Sequence, residues 1–488
     1  MDRLIIWLMI VNLMSQSAFS LLAPFYPDMA QKQKGLSSTL VGLVMSSFSV
    51  SFVIFSFLIS LKISKIGRRF VLYCGIVLQG ISMLGFGCIV WVTNKQLFLI
   101  LSFAFRLLGG IAWSFIWVAA YAMVSIKYPE QLQAKISLLE AANGAGLFVG
   151  PIFGGLIYEF THFCVPFFLF TVISWILLPF ISRSLTEDLD RDDNPDNTRE
   201  RLGYIKLLKH KRVSFAGWAQ FFNIIMFTAG APIFGPRLAD VYGFSNFLVG
   251  VSFAIPTLSY IITGLVILPI VAKKFESRAT MMCGFFIMWV SGFFLGPSKV
   301  LGFPDTSAAM MMIGLVILGL SAACTVIPVI PEMLNAVEDK YPEYKSEISD
   351  NFSGIFNMAG GFGQIVGPTV AGALNDSVGF NWTMDSIALS ILAFNITFIL
   401  VWGGFGSIAR SFRATLLRCR KDNTEIRSDS AGSHLLQEED SDVQTDDEDN
   451  TFDTKTNDKS GISTDISIDS NHFADTIGQK KGNEMAIN

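Results

Sequence analysis

Long apolar runs, each of about the length that crosses a lipid bilayer, recur along most of this chain. A spanning helix needs about 20 mostly apolar residues, because the bilayer core has no water to satisfy backbone N–H and C=O groups. Twelve such runs can be delimited, at 4–27, 38–61, 70–93, 97–125, 136–159, 164–183, 213–235, 246–271, 279–297, 306–334, 352–374 and 383–406. Only 16% of the residues are charged and 51% are hydrophobic, which leaves too little charge to cover a soluble protein of this length. The sequence therefore predicts an all-α membrane protein with twelve transmembrane helices.

Lysine and arginine side chains are concentrated in alternate loops between these runs. One set of loops holds Lys62, Lys65, Arg68, Arg69, Lys127, Lys273, Lys274, Arg278, Lys340, Lys345 and the basic residues between Arg183 and Arg212. The other set has little beyond Lys32, Lys34, Lys95, Arg237 and Lys299. Cytoplasmic loops of membrane proteins carry the excess of positive charge. We therefore expect both termini to be cytoplasmic, which requires an even number of spans.

One long polar segment divides the twelve runs into two groups of six. Residues 184–212 are rich in acidic and amide side chains, which predicts a cytoplasmic linker. The predicted domains are an N-terminal six-helix bundle at 1–183, this linker, a C-terminal six-helix bundle at 213–409, and a tail at 410–488. The tail begins with a basic stretch next to the last span, which suits anionic lipid headgroups.

The C-terminal tail is strongly acidic. From Lys421 onward there are seventeen Asp and Glu residues but only six Lys and Arg residues, so this segment has eleven net negative charges. The whole chain stands at -4, and the rest of it is therefore seven charges positive. We expect a disordered cytoplasmic tail, because such a segment cannot bury enough apolar surface to fold. Nucleic acid is not an expected partner, because the remaining basic residues lie in short loops between apolar runs.

The two groups of six share an internal repeat. Residues 146–155 have the sequence GLFVGPIFGG, and residues 363–372 have the sequence GQIVGPTVAG. A weaker match relates residues 65–75 to residues 274–284. The offsets, 217 and 209 residues, are close enough to indicate one ancient duplication. Parallel six-helix repeats related by an axis along the membrane normal are typical of one common transporter architecture.

Small residues line one face of span five. Gly146, Gly150 and Gly154 are four residues apart, and Pro151 stands among them. In lipid such a stripe lets a neighbouring backbone approach closely, while the proline removes a backbone hydrogen bond and offers a bend. Span eleven repeats the pattern at Gly363, Gly367 and Pro368. Plain helix packing is the alternative for the glycines alone, whereas the recurrence of Gly-Pro in both halves favours a hinge.

Few ionisable side chains lie within the apolar runs, and each costs about 2.5–3.5 kcal/mol on insertion scales unless it is paired or wetted. Arg106 lies deep in span four. It is either a structural counter-charge or part of a gate and of proton coupling. Glu140 lies little more than one turn inside span five and aligns with Asn357 in the second repeat. A buried carboxylate takes up a proton readily, so Glu140 is the leading candidate for coupling or substrate binding, against a purely structural hydrogen bond. Glu332 near the end of span ten is a further candidate, with a water-exposed carboxylate as the alternative.

Polar and aromatic side chains at matching depths are candidates for lining a cavity. They are Asn12 and Gln16 on span one, Gln220 and Asn223 on span seven, and Trp113, Trp117 and Tyr121 on span four. The three aromatic residues are four apart and therefore share one face of a helix. A cationic amine between a carboxylate and such rings would gain about 0.5–2 kcal/mol from cation–π attraction. Ordinary packing is the alternative for any single one of them.

Several motifs resemble those of the major facilitator superfamily. Residues 144–155 are similar to its antiporter motif, residues 106–110 to its Arg-x-x-x-Gly motif, and residues 60–69 to its first cytoplasmic loop motif. In that loop Gly67, Arg68 and Arg69 match the pattern. Ser60 and Ser64 depart from it, because the family has Gly and Asp there. The resemblance implies two pseudo-symmetric six-helix halves. Because Ser64 replaces the Asp of the family, the charge pair that this loop usually forms lacks its carboxylate.

A closer resemblance, to the vesicular amine transporter branch, covers most of the membrane domain. It rests on VNL at 11–13, APFYP at 23–27, Glu140 and Tyr158 around the span-five motif, GLSA at 319–322 and IPVIPE at 327–332. Gly109 departs from the branch, which has an Asp after the arginine. The resemblance implies proton-coupled export of cationic amines, polyamines among them, from the cytosol into acidic vesicles or another endomembrane compartment.

We therefore expect an alternating-access antiporter in which Glu140 exchanges a proton for a cationic amine and Arg106 restrains the gate. One rival is a plasma-membrane drug or metabolite exporter with a neutral or anionic substrate. Another is a non-transporting sensor or scaffold that acts through the acidic tail. We expect no enzymatic activity, cofactor or metal, because no nucleophile arrangement, phosphate loop or metal-ligand spacing occurs. We further expect a monomer with free thiols, whose partners are the bilayer, a small substrate and protons.

Overall fold

The computed structural model describes residues 2–190, 207–272, 275–304, 307–337 and 345–401. Within these ranges the chain forms helices and short connections, without a β-strand. Most of the predicted linker at 184–212 and the whole predicted tail at 410–488 lie outside the described residues.

Twelve long helices follow one another in the described part of the chain, which confirms the predicted all-α architecture. In order they are α1 (Arg3–Lys34), α2 (Ser38–Ser60), α3 (Arg68–Trp91), α4 (Lys95–Lys127), α5 (Leu132–Phe160), α6 (Cys164–Ser182), α7 (Lys211–Ala229), α8 (Asn246–Ala272), α9 (Ser277–Leu295), α10 (Ala308–Val337), α11 (Lys345–Val378) and α12 (Phe380–Val401). Ten of them are candidate membrane spans by length and composition. The other two, α7 and α11, contain polar side chains such as Gln220 and Gln364 that lower their mean hydropathy.

Some helix boundaries differ from the predicted ones. α1 was expected to end at residue 27 but continues to Lys34 after an interruption at Leu21, so Lys32 and Lys34 lie on the helix and not in a loop. It ends at Gly35, whose φ of 61° is a left-handed backbone conformation that glycine adopts without strain. α11 runs from Lys345 to Val378, beyond the predicted 352–374 at both ends. The ends of these helices are polar, so a prediction from apolar runs made the helices too short.

The helices pack in the same order in both halves. In the N-terminal half α1 packs against α5, α2 and α3 pack against α4, and α3 packs against α6. In the C-terminal half α7 packs against α11, α8 and α9 pack against α10, and α9 packs against α12. The halves meet through two equivalent helix pairs, α2 with α11 and α5 with α8. The sequence repeat therefore corresponds to a pseudo-two-fold structural repeat.

The glycines of the repeated motif are positions of close helix packing. A Cβ built on Gly146 would lie 2.5 Å from the carbonyl oxygen of Leu13, and one on Gly150 would lie 2.4 Å from that of Ser17. The same close approach to α1 or α7 occurs at Gly154, Gly363 and Gly367. Because only glycine leaves room for these neighbours, the stripe fixes α5 against α1 and α11 against α7. A hinge at Pro151 and Pro368 stays a prediction.

Large apolar side chains are exposed on the surface of both halves. Phe57, Ile100, Leu265 and Leu400 expose 64%, 62%, 75% and 68% of their surface. In water each exposed apolar Å² is unfavourable by about 25 cal/mol, whereas in hydrocarbon it is not. The surface therefore suits a lipid environment, as the candidate spans do, and the protein is a multi-pass membrane protein.

Candidate functional site

The two ends of the helix bundle differ in how the halves meet. One end contains Gly35, Thr161 and Gly302, and we call it the closed end because hydrogen bonds join the two halves there. Bonds between the halves continue inward to mid-membrane, where the Ser49 hydroxyl donates to Gln364 Oε1 at 3.0 Å. The opposite end, where α1 begins at Arg3, is called the open end.

A central cavity of about 950 Å³, its mouth included, lies between the halves. Helices of both halves contribute to its lining, which includes Phe19, Ser20, Met45, Ser49, Arg106, Leu147 and Pro151 from one half and Phe227, Thr228, Phe253, Leu315, Gln364 and Pro368 from the other. Small-molecule sites commonly lie between the helices of a bundle, as this cavity does. A molecule bound there would touch both halves at once.

Arg106 is the only charged side chain among the described residues that line this cavity. It is 4% exposed, and its guanidinium lies 4.6 Å from the ring centroid of Phe48 and 5.7 Å from that of Phe19. Its Nη2 lies 3.9 Å from Met45 Sδ, and its Nε has no hydrogen-bond partner within the described part of the chain. Cation–π attraction compensates part of the desolvation of this charge. The cavity wall is therefore positively charged.

An aromatic column, formed by Trp113, Trp117 and Tyr121 of α4, leads from the cavity toward the open end. Trp113 stacks on the cavity-lining Phe19, with ring centroids 5.6 Å apart. Trp113 and Trp117 meet edge to face at 5.3 Å, and Trp117 and Tyr121 stack at 4.8 Å. Spacings of 4.5–7 Å are those of favourable aromatic pairs. The predicted i, i+4, i+8 line is thus one continuous aromatic surface.

Glu140 lies at the open-end side of this column. The Tyr121 hydroxyl donates a short hydrogen bond to Glu140 Oε1, and Asn143 Nδ2 donates to the Tyr121 hydroxyl at 3.4 Å. Glu140 is exposed, and no atom lies within 4 Å of a Cβ built on the next-turn residue Gly144. The carboxylate is therefore accessible and is held by the side chains of Tyr121 and Asn143.

The two cavity candidates on α1 do not line the cavity. Asn12 is buried, and its Nδ2 donates to the Leu8 carbonyl of its own helix at 2.8 Å. Gln16 is also buried, and its Cβ lies against Gly146 of α5. Both side chains lie where α1 packs within the N-terminal half, and Ser20 on the same stripe is the one that reaches the cavity.

The two candidates on α7 are likewise packed within their own half. Asn223 is buried, and its Nδ2 donates a short hydrogen bond to Thr325 Oγ1 of α10. Gln220 is buried next to Gly360 of α11. The Asn223 amide thus stabilises a helix contact, whereas Gln220 Oε1 has no hydrogen-bond partner within the described residues.

Glu332 is a buried member of an ion-pair cluster at the open end of the C-terminal half. Its side chain is 7% exposed, and its Oε1 accepts from Arg212 Nη2 at 2.8 Å and from Arg278 Nε at 3.1 Å. The water-exposed alternative for Glu332 is therefore wrong, because two guanidinium groups cover the carboxylate. Asn357, the repeat counterpart of Glu140, lies exposed on α11. The structure does not bring Glu332 to the central cavity.

The loop between α2 and α3 obtains a carboxylate from another part of the N-terminal half. Arg69 Nε donates to Asp190 Oδ2 at 2.7 Å, and the Arg69 amide donates to Asp190 Oδ1 at 3.1 Å. Arg68 Nη1 donates to the Leu189 carbonyl at 3.1 Å, and Gly67 has a φ of 97° beside Asp190. Partial burial raises the pKa of Asp190, but the hydrogen bonds and charge of Arg69 outweigh it and hold this pKa below its ordinary value. Asp190 thus supplies the carboxylate that Ser64 lacks.

Sequence reasoning missed two contacts that join the halves at the closed end. Asp376 of α11 accepts hydrogen bonds from the first turn of α2, and Glu159 of α5 accepts one from the first turn of α8. The two carboxylates are 217 residues apart, the offset of the glycine motif. A second signal was the pair SSTLVG at 37–42 and SNFLVG at 245–250, where these first turns begin.

Two pseudo-symmetric six-helix halves around a shared cavity are the architecture of a secondary transporter. The sequence profile of the Major Facilitator Superfamily matches residues 8–349. The chain belongs to this superfamily, and the resemblance seen in its motifs is confirmed. It is a transporter and not an enzyme.

Proteins with similar sequences are also transporters. The MFS-type transporter SLC18B1 of Homo sapiens is 24% identical over 373 residues, which cover 76% of this chain and 80% of that protein. The synaptic vesicular amine transporter of Mus musculus is 23% identical over 376 residues, 75% of this chain and 68% of that protein. Among solved structures, the nucleoside transporter NupG matches with a TM-score of 0.65 and 15% identity over 82% of this chain and 99% of its own. The last likeness shows the fold alone.

Proposed function

We propose that this protein exports cationic amines, polyamines among them, from the cytosol into vesicles in exchange for protons by alternating access. The observation that carries the proposal is the position of Glu140. Its accessible carboxylate lies at one end of the aromatic column, and the central cavity lies at the other. The similarity to the synaptic vesicular amine transporter supports the substrate class.

The chemistry follows from competition for one carboxylate. A bound cationic amine stabilises the ionised carboxylate and so disfavours its protonation, whereas the protonated form has no charge to attract the amine. The hydrogen bond from Tyr121 orients Glu140. Tyr260 of α8, in the other half, lies close enough to interact electrostatically with the Glu140 carboxylate. Movement of α8 relative to α5 would therefore change the surroundings of the carboxylate during the cycle.

The partly exposed rings of Trp117 and Tyr121 offer a cation an aromatic surface next to Glu140, while the buried Trp113 connects them to the cavity lining. Each ring face contributes about 0.5–2 kcal/mol of cation–π attraction when it is partly desolvated. An alkyl polyamine also gains from contact with apolar ring surface along its methylene groups. The column is thus suited to a long, thin cation with separated charges.

The direction of transport rests on the distribution of basic residues. The basic loops lie at the open end, which includes Arg69 and Arg212. If this end faces the cytosol, as the excess of positive charge favours, the described conformation is the one that loads substrate from the cytosol. Vesicular or other endomembrane localisation follows from the proposed substrate and from the similar transporters.

The test is uptake of labelled spermidine into proteoliposomes with an acidic interior. We expect gradient-dependent uptake by the wild type and its loss in Glu140→Gln. Glu130→Gln is the matched control, because Glu130 is an exposed carboxylate at the same end and lies away from the column. Normal uptake by Glu140→Gln with unchanged pH dependence would contradict the coupling role. No uptake by folded wild-type protein would withdraw the polyamine assignment.

A second candidate is an exporter of neutral or anionic metabolites at the plasma membrane. Arg106 favours it, because a positively charged cavity wall repels a cation and attracts an electron-rich group. Competition separates the two candidates. Cationic competitors should reduce uptake if the amine proposal holds, whereas reduction by anionic or neutral competitors alone would support the second candidate.

A further inference from the structure

The first turn of α2 is capped by a carboxylate from the opposite half. The first N–H groups of a helix have no partner within the helix. Here the Ser38 amide donates to Asp376 Oδ1 at 2.9 Å, and the Thr39 amide donates to Asp376 Oδ2 at 2.7 Å. The Thr39 hydroxyl donates to the same Oδ2 at 2.5 Å. Asp376 lies near the end of α11, so these bonds join the two halves.

The first turn of α8 is capped in the equivalent way. The Phe247 amide donates to Glu159 Oε2 at 3.1 Å, and Glu159 lies near the end of α5 in the other half. The next amide in each helix, Leu40 or Leu248, is served locally by its own N-cap serine. In both helices the local cap thus satisfies one amide, while the opposite half satisfies two amides of α2 and one of α8.

The surrounding contacts repeat with the caps. One turn further along α2, a Cβ on Gly42 would lie 2.2 Å from the Pro368 carbonyl oxygen, and a Cβ on Gly250 of α8 would lie 2.2 Å from that of Pro151. The two prolines are 217 residues apart, as are the two capping carboxylates. Cap and crossing therefore form one unit that occurs twice at the closed end.

We propose that Asp376 and Glu159 are a symmetric pair of gate residues that hold the closed end shut. A negative charge is stabilised at the positive end of a helix dipole, and each of these bonds exists only while the two halves are together at this end. Opening of the closed end must break both caps. The pair therefore sets the balance between the described conformation and the one open at the other side. The inference rests on alternating access and is independent of the substrate.

Hydrogen–deuterium exchange of the full-length protein in lipid nanodiscs tests the gate without any substrate. Asp376→Ala should speed exchange at 38–40, where its own bonds are lost, and also at 246–248, where the other cap is intact. We expect about fivefold faster exchange at the remote site, the factor that the loss of a typical cap produces. Exchange in the open-end part of α5 should slow in the same sample, because that end closes when the other opens.

Glu159→Ala should give the mirror result, with the remote change at 38–40. Asp376→Asn keeps a cap acceptor but removes the charge, so we expect a smaller change of the same kind and an intact fold. Asp240→Asn is the matched control, because Asp240 also joins the halves at this end, through an ion pair with Lys32 at 2.6 Å in which both side chains are about half exposed. We expect little change from it. Faster exchange confined to the mutated cap, with the other cap and the open end unchanged, would overturn the proposal.

Discussion

The two halves share one packing scheme but differ in where their charged groups lie. In the N-terminal half Arg106 lines the central cavity, and Glu140 lies at the end of the aromatic column. In the C-terminal half the repeat counterpart of Glu140 is Asn357, and the buried Glu332 is held by two arginines away from the cavity. Duplication thus preserved the helix contacts, while the ionisable groups of the cleft are concentrated in one half.

The loops between the second and third helix of each half show the same contrast on a smaller scale. Arg69 and Arg278 are 209 residues apart, the offset of the weaker repeat. Arg69 pairs with Asp190, both 26% exposed, whereas Arg278 pairs with Glu332, at 15% and 7% exposed. Equivalent arginines therefore take carboxylates from different elements, and the C-terminal pair is the more buried one.

The largest effect on stability is expected from Glu332→Gln. Removing one member of a buried ion pair leaves uncompensated charge, and we expect a loss of about 3 kcal/mol in unfolding free energy, at the low end because Arg212 stays a third exposed. Transport per folded molecule should be kept. Thermal unfolding in detergent together with uptake normalised to folded protein measures both. If Glu332→Gln lost transport but unfolded like the wild type, Glu332 would be a coupling carboxylate. The two halves would then not differ in the way described above.

Gly42→Ala and Gly250→Ala test the part that both halves share. Each new Cβ would meet a backbone carbonyl oxygen at 2.2 Å, so the crossing helices must separate. Overpacking of this kind costs about 1–3 kcal/mol. We expect the two variants to lower the melting temperature by the same amount. Gly144→Ala is the control, because open space surrounds that position. Clearly unequal losses would mean that the two crossings are not equivalent.

The smallest effect is expected from Asp190→Asn. Because the Arg69–Asp190 ion pair is partly exposed, we expect the unfolding free energy to fall by about 0.5 kcal/mol at neutral pH. The folded pKa of Asp190 lies below the ordinary 3.8, so its stabilisation is complete above that value and is lost as the pH falls through the folded pKa. Melting curves of wild type and variant should therefore converge once the pH has fallen below the folded pKa of Asp190. A difference that persists there would point to a contribution other than the charge.

Features repeated in the sequence were predictable, and single partner choices were not. The twelve helices and the Gly-Pro motif each leave a pattern in the residues, and so does the four-residue spacing of Trp113, Trp117 and Tyr121. The pairing of Asp190 with Arg69 leaves none, because it depends on where the end of α6 lies relative to a distant loop. The caps at Asp376 and Glu159 were not predicted either, although the two carboxylates are 217 residues apart, which is the offset of the glycine motif.

The polar stripe on α1 shows a second limit. Asn12 and Gln16 share a face with Ser20, but only Ser20 reaches the cavity. The Asn12 amide bonds to the Leu8 carbonyl of its own helix, an option that is always open to a buried polar side chain in a helix. Helical periodicity places side chains on a common face, and the tilt of the helix decides how far along that face the cavity extends.

The crossings of Gly42 with Pro368 and of Gly250 with Pro151 are made by main-chain atoms. A contact between backbones survives almost any substitution around it, provided that the glycine is kept. The two halves could therefore diverge in their side chains over evolutionary time without losing these contacts between them. For the same reason, exchanging one half for that of a distant family member should preserve these backbone contacts, and the new half should bring its own side chains to the central cavity.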